Sequence, residues 1–226
     1  MKNKIPAFIT ALSKQFQNPL PGKKSHLKIA PAFRNLDEMP TTDARKAAVL
    51  ILLFPKKTQN ATEWHVILTE RTMHIGDKHS GQMSFPGGGY EASDGALPDG
   101  MWHCALREAR EEIGINPKKI HIIGQMSDLY ISVSKYQVFP YLAWTNAPFE
   151  HQPQLSEVKT IYEVPLSVIK NPDNLKFTEI WLSERLTLPA VPYYDVYGKK
   201  VWGATAMMLA ELLDLMSNQS LTMKDE

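Results

Sequence analysis

The run AAVLILLF, residues 47–54, restricts the fold more than any other feature of the chain. It is the longest apolar stretch and falls far short of the ~20 residues that a membrane-crossing helix needs. Pro55 ends it, and its β-branched members make it read as a buried strand. Beyond the polar segment KKTQNATE, residues 64–69 supply its hairpin partner. A buried strand needs a core around it. A chain of 226 residues, 43% of them hydrophobic, can build one domain of roughly 150 residues with additions.

Further strands are predicted over 82–85, 120–126, 136–144 and 159–164. Helices are predicted over MWHCALREAREEIG and WGATAMMLAELLDLM, with a short one over 166–170. Strands and helices interleave without a strict βαβ repeat, which predicts an α+β (mixed α/β) domain. Residues 18–45 carry four prolines and no sustained period, so they read as an extended arm. Before them, Phe8, Ile9, Leu12 and Phe16 mark an amphipathic helix. Lys14 interrupts the apolar stretch and no small-residue cleavage site follows, so this is not read as a signal peptide. The expected division is an N-terminal helix and arm over 1–45, a main domain over 46–217, and a tail over 218–226.

Lysine plus arginine minus aspartate plus glutamate is 25 − 24 = +1, with 22% of residues charged. That balance argues against a dedicated nucleic-acid binder and against attachment to an anionic membrane. A single cysteine, Cys104, excludes an intrachain disulfide and a cysteine-based zinc site. It fits a reducing compartment, and a cytoplasmic location is expected. On its helix Cys104 reads as a packing residue rather than a reactive thiol.

The 102–113 helix concentrates acid. With Trp102 at the origin of a wheel of about 100° per residue, Ala105, Leu106, Ala109 and Ile113 form a narrow apolar stripe. Glu108, Glu111 and Glu112 gather on the adjacent face. Glu111 and Glu112 lie in the last turn before Gly114, where the helix dipole disfavours carboxylates, and Glu108 and Glu112 repel at i, i+4. Arg107 can pair with Glu111 and offset part of this. A hard divalent cation with oxygen ligands, Mg²⁺ or Mn²⁺, would offset the rest. Upstream, Gly87, Gly88 and Gly89 permit close backbone approach, to a ligand or to this helix.

Gly87-Gly88 followed by REAREEIGI, residues 107–115, resembles the Nudix box, G-x5-E-x7-R-E-U-x-E-E-x-G-U, with Ala109 at a position U of bulky aliphatics. Counting back from Arg107 places the first acidic position at Asp99. Anchoring on Gly88 leaves 18 residues, 89–106, before Arg107, so an insertion near GALPDGMW is implied. The segment Leu68-Thr69-Glu70-Arg71-Thr72 and the segment His79-Ser80-Gly81-Gln82-Met83-Ser84-Phe85-Pro86-Gly87-Gly88 are similar to LLTxRS and HxGQVxFPGG of the Nudix coenzyme A diphosphatases. One residue is extra between Arg71 and Gly81, and Lys78 is assigned to the basic position of that signature. The likeness extends over about 46–215.

This resemblance implies a Nudix-type α/β/α sandwich with a mixed β-sheet. It implies metal-dependent hydrolysis of the pyrophosphate bond of coenzyme A or its derivatives, giving 3′,5′-ADP and 4′-phosphopantetheine. Glu108, Glu112 and Glu111 would be metal ligands. Glu111, Glu108 and Arg107 form the catalytic set, with Glu111, Glu108 or the downstream Glu157 as general base. Arg71 would hold a phosphate, Lys78 the 3′-phosphate, and His79, Gly87 and Gly88 would line the substrate. The partner is then a nucleotide-type small molecule, with a homodimer left open. Two other readings compete: a Nudix hydrolase of another diphosphate, such as ADP-ribose, a dinucleotide or capped RNA, and a Nudix module that binds a metabolite without turnover.

Overall fold

The computed structural model describes residues 5–57, 62–73, 81–96, 98–146, 150–183 and 186–217. Its centre is β1 (Arg45–Lys57), which pairs antiparallel with β2 (Thr62–Arg71), Leu53 opposite Val66. The strand runs past Pro55 because its parallel ladder to β7 (Tyr136–Trp144) ends at Leu53–Trp144. Beyond that point β1 has a partner on one side only, and the N–H that proline lacks is not needed.

The other strands extend this core in both directions. β3 (Met83–Ser84) and β8 (Val158–Pro165) pair with β2. β4 (Gly87–Gly89) pairs with β1. β5 (His121–Gln125) and β6 (Leu129–Ile131) pair with β7. The result is an eight-stranded mixed sheet.

The apolar octet is buried on both sides, and the two-residue period of a strand divides it. Ala48, Leu50, Leu52 and Phe54 pack with Cys104, Ala105, Ala109 and Ile113 of α3 (Gly100–Ile113). Ala47, Ile51 and Leu53 face the opposite layer. That layer contains α1 (Ala7–Gln15) and α5 (Gly203–Ser217), with Phe8 against Trp64 at 4.9 Å between ring centroids. Each fully buried Leu or Ile contributes about 1.5–3 kcal/mol of transfer free energy, so one strand drives both layers together. The expected α/β/α sandwich is the observed architecture. No helix among the described residues is long and apolar enough to cross a membrane.

Two regions differ from the sequence expectation. Residues 18–45 are not a loose arm: α2 (Lys23–His26) docks on α5, with Ser25, His26 and Ile29 buried. The fully buried Glu211 carboxylate lies 3.0 Å from His26 Nε2 and accepts from the Gly22 N–H and the Ser127 hydroxyl. Few apolar residues were needed to dock this segment because buried hydrogen bonds to one carboxylate hold it.

The second difference is a three-stranded sheet of β9 (Leu175–Ser183), β10 (Leu186–Val196) and β11 (Lys199–Trp202) in a region given no strands. Pro189 and Pro192 obscure it in sequence, and a register shift between Leu188 and Val191 accommodates them. Tyr197 and Gly198, both at positive φ, close the β10–β11 hairpin without the usual Asn-Gly signal. The short helix expected over 166–170 forms as α4 (Leu166–Lys170).

Candidate active site

β4 lies along β1, with Ala47 opposite Gly89 and Val49 opposite Gly87, and α3 covers the pair. The glycines are required by contact on both sides. A Cβ on Gly87 would fall 2.3 Å from the Ala48 carbonyl oxygen, and one on Gly88 would fall 2.5 Å from the carboxyl carbon of Glu108. Of the two partners the glycine pattern allowed, the close approach of Gly88 is made to the helix, while Gly87 is pressed against β1.

Helix α3 ends at Gly114, in the left-handed region at φ 75°, whose N–H returns to the Arg110 carbonyl. Its three glutamates are not equivalent. Glu112 is 3% exposed and accepts the Gly87 N–H at 3.0 Å. Burial pushes its carboxyl up to about 8; Gly87 and Arg71 pull the other way, while Glu108 and Glu157 add to the rise. Glu108 is also raised, first by burial, with Arg107 opposing and Glu111 and Glu157 reinforcing. Glu111 stays on the rim, its side chain 57% exposed, 3.2 Å from Arg107. The structure therefore sets Glu112 and Glu108 inward and Glu111 at the exposed rim, where it shares Arg107 Nη1 with Glu108.

Arg107 has a partner that the sequence reading did not name. Its Nε and Nη2 donate to the two carboxylate oxygens of the buried Asp94 at 3.0 Å each, and Nη2 also reaches the Gly89 carbonyl at 3.0 Å. Nη1 lies 3.0 Å from Glu108. This forked pair ties the glycine strand to the helix. Asp94, which also accepts the Glu91 N–H, takes the place that counting back from Arg107 assigned to Asp99. Asp99 instead precedes α3 at φ 56°, with no side-chain capping bond. The signal was present: six residues on from Gly88 is Asp94. The insertion then falls between Asp94 and Arg107, where a 3₁₀ turn over Asp94–Ala96 and the first turns of α3 absorb it.

Cys104 is fully buried beside the Gly88 and Gly89 carbonyls, and burial pushes its thiol up to about 12. It packs, as expected. Arg71 ends β2, its N–H bonded to the Gln82 carbonyl, and its charge reaches Glu112. The Thr72 N–H donates to the Glu157 carbonyl, and the Gln154 N–H to that of Glu112, which draws the 154–157 segment to the end of α3. Lys78 and His79 lie outside the described residues.

Two carboxylates one helical turn apart, Glu112 buried and Glu108 partly buried, with Glu108 adding to the rise of Glu112, are a donor set suited to a hard divalent cation. Among the described residues, no three acidic, histidine or cysteine side chains are close enough to form a ready cage. The fit therefore rests on Glu108 and Glu112.

The NUDIX domain family matches residues 44–182. The Nudix hydrolase NudL of Shigella boydii serotype 4 is 30% identical over 172 residues, covering 76% of this chain and 83% of NudL. RenU, a Nudix hydrolase from M. smegmatis, superposes with a TM-score of 0.52 at 14% identity, covering 77% of this chain and 87% of its own. The NUDIX domain of Shewanella oneidensis NrtR, solved with ADP ribose, gives 0.50 at 14% identity, covering 80% and 95%. With the glycine strand, the acidic helix and the sandwich in the same order as the pattern, the chain belongs to the Nudix family, hydrolases of diphosphate bonds.

Proposed function

We propose that the protein hydrolyses the pyrophosphate bond of coenzyme A or its derivatives, releasing 3′,5′-ADP and 4′-phosphopantetheine. The observation that carries the hydrolytic part is the pair of the partly buried Glu108 and the buried Glu112, set against Gly88 and Gly87. The sequence from Gln82 to Gly88, beside Arg71, supports the coenzyme A part by its likeness to the signature of that subgroup.

Glu108 and Glu112 would hold Mg²⁺ or Mn²⁺. Such an ion, when bound, lowers the pKa of a water and neutralises charge on the diphosphate. The chain's own residues do the rest. Arg71, at the mouth of β2, is suited to hold a phosphate oxygen pair in its fork. Arg107, fixed by Asp94, holds the glycine strand against α3 so that Glu108 keeps its place on Gly88. The proton of the attacking water goes to a carboxylate. Glu111 is engaged at the rim by Arg107, whereas the charge of Glu157 acts on both Glu108 and Glu112, which favours Glu157 for this role. Lys78 and His79 are proposed to contact the 3′-phosphate end of the substrate.

The test is a Mg²⁺-dependent hydrolysis panel followed by mass spectrometry, with coenzyme A, ADP-ribose, NADH and capped RNA side by side. Release of phosphopantetheine from coenzyme A at a rate no other compound approaches is the expected result. Silence on coenzyme A with turnover of ADP-ribose would transfer the assignment to the second reading, which the ADP ribose held by NrtR keeps in view.

A further inference from the structure

On the face of β2 opposite α3, Glu70 is buried at 5% exposure and gathers three donors from two sheets. Lys159 Nζ and the Tyr162 hydroxyl, both from β8, donate to its two oxygens at 2.9 Å, and Lys199 of β11 lies 3.0 Å away. Burial alone would raise this carboxyl, but these donors hold it at about 2. The pattern LLTxRS leaves position 70 open, so nothing in the family resemblance accounts for it.

The reason for such investment lies in the register. Glu70 pairs with Thr160, but Arg71 pairs with Val158, which leaves Lys159 as the extra residue of a β-bulge. In regular alternation Lys159 would share a face with Ile161, which packs in the α3 layer. The bulge moves it to the face of Tyr162 and Glu70. Past the bulge the chain enters Glu157, whose carbonyl accepts the Thr72 N–H at 2.8 Å, and Thr72 Oγ1 donates to Leu155. Val158, beside the bulge, pairs with Arg71 and is followed back along the chain by Glu157, two of the groups whose charges act on Glu112.

We propose that Glu70 is a positioning residue of the active site: by holding Lys159 in the bulge of β8, it fixes the strand ends that present Arg71 and Glu157 to the paired carboxylates of α3. This rests on the reading of the site as a hydrolytic centre. It adds a device that lies across the sheet from the chemistry and touches no substrate.

The test is a double-mutant cycle of Glu70→Gln and Glu157→Ala, on whichever diphosphate the panel shows to be turned over. Glu70→Gln keeps the shape, and its lysine partners are half exposed and can be solvated, so the fold is expected to persist by circular dichroism. The expected result is a 10- to 100-fold fall in kcat with KM within about threefold. Adding Glu70→Gln to Glu157→Ala should then cost less than threefold more. Lys159→Met should reproduce the loss and Lys159→Arg should restore most of it. Effects that multiply, or an unchanged kcat in Glu70→Gln, would overturn the proposal. If the parent turns over no diphosphate, the hydrolytic reading fails by itself. Hydrogen exchange then decides the clamp: the Thr72 amide should exchange at least tenfold faster in Glu70→Gln, and an unchanged rate refutes it.

Discussion

Glu112 and Glu70 are buried to nearly the same degree, 3% and 5% exposed, on opposite faces of one sheet, yet they ionise at opposite extremes. Glu112 is pushed up to about 8 and Glu70 is held at about 2. Burial raises both, so the partners decide. Glu70 has two ammonium groups and a phenol within hydrogen-bond reach, whereas Glu112 accepts one neutral N–H and feels Arg71 only through its charge, against Glu108 and Glu157. One carboxylate is satisfied by the fold, and the other is left with charge that the fold does not neutralise. An unneutralised, buried, oxygen-rich position is where a cation gains most.

The largest effect is expected where that contrast is removed. Glu112→Gln should lower Mg²⁺-dependent turnover on the order of 10³-fold while leaving the fold intact. Single-turnover rates on the substrate found by the panel check this, and retained turnover would break the assignment of Glu112 as a ligand.

Stability against pH sharpens the comparison, because the two groups carry opposite signs. Glu112 is raised in the folded state, so the chelator-treated protein should lose stability as pH rises from the ordinary 4.5 through about 8. Over that window Glu112→Gln should become more stable than the parent, and Mg²⁺ should narrow the gap. Glu70 is depressed, so its contribution is present above 4.5 and is lost as pH falls through about 2. Glu70→Gln should therefore be less stable than the parent at neutral pH by about 1–2 kcal/mol, a figure reduced because both ammonium groups are solvent-screened. The difference should vanish toward pH 2. Urea denaturation across pH, with EDTA, measures both trends, and parallel trends would contradict the comparison.

The smallest effect is expected for Tyr162→Phe, which removes one of the three donors to Glu70. About 1 kcal/mol of stability at neutral pH should be lost, with turnover within about threefold of the parent. A larger kinetic loss would show that Tyr162, rather than Lys159, transmits the positioning.

Much of the site was legible in the sequence because it is local. The spacing of Glu108 and Glu112 puts them one turn apart on any helix, and Gly87 and Gly88 announce a close approach. What that approach met was not legible, because the glycines are separated from Glu108 and Glu112 by a loop of irregular length. The same insertion hid Asp94: counting back from the helix gave Asp99, and counting forward from the glycine gives the residue that Arg107 holds. The arm before residue 45 was misread because its docking depends on His26 and Ser25 meeting Glu211 and Asp214, more than 180 residues away. The β9–β11 sheet was missed because its prolines and its Tyr-Gly turn carry none of the usual strand punctuation.

By itself the sequence determined the apolar octet and hence a central strand buried on both faces, the α+β class, the acidic helix and the family. Each of these follows from a period of two or 3.6 residues, or from a contiguous motif, and a chain cannot conceal such patterns. Only the tertiary structure decided which carboxylates are neutralised. It set Asp94 on Arg107, left Glu111 at the rim, gave Glu70 its lysines and set Glu112 between the opposing charges of Arg71 and of Glu108 and Glu157. The ionisation of a buried group is fixed by the charges that folding brings within a few ångströms, and those come from strands and loops far apart in the chain.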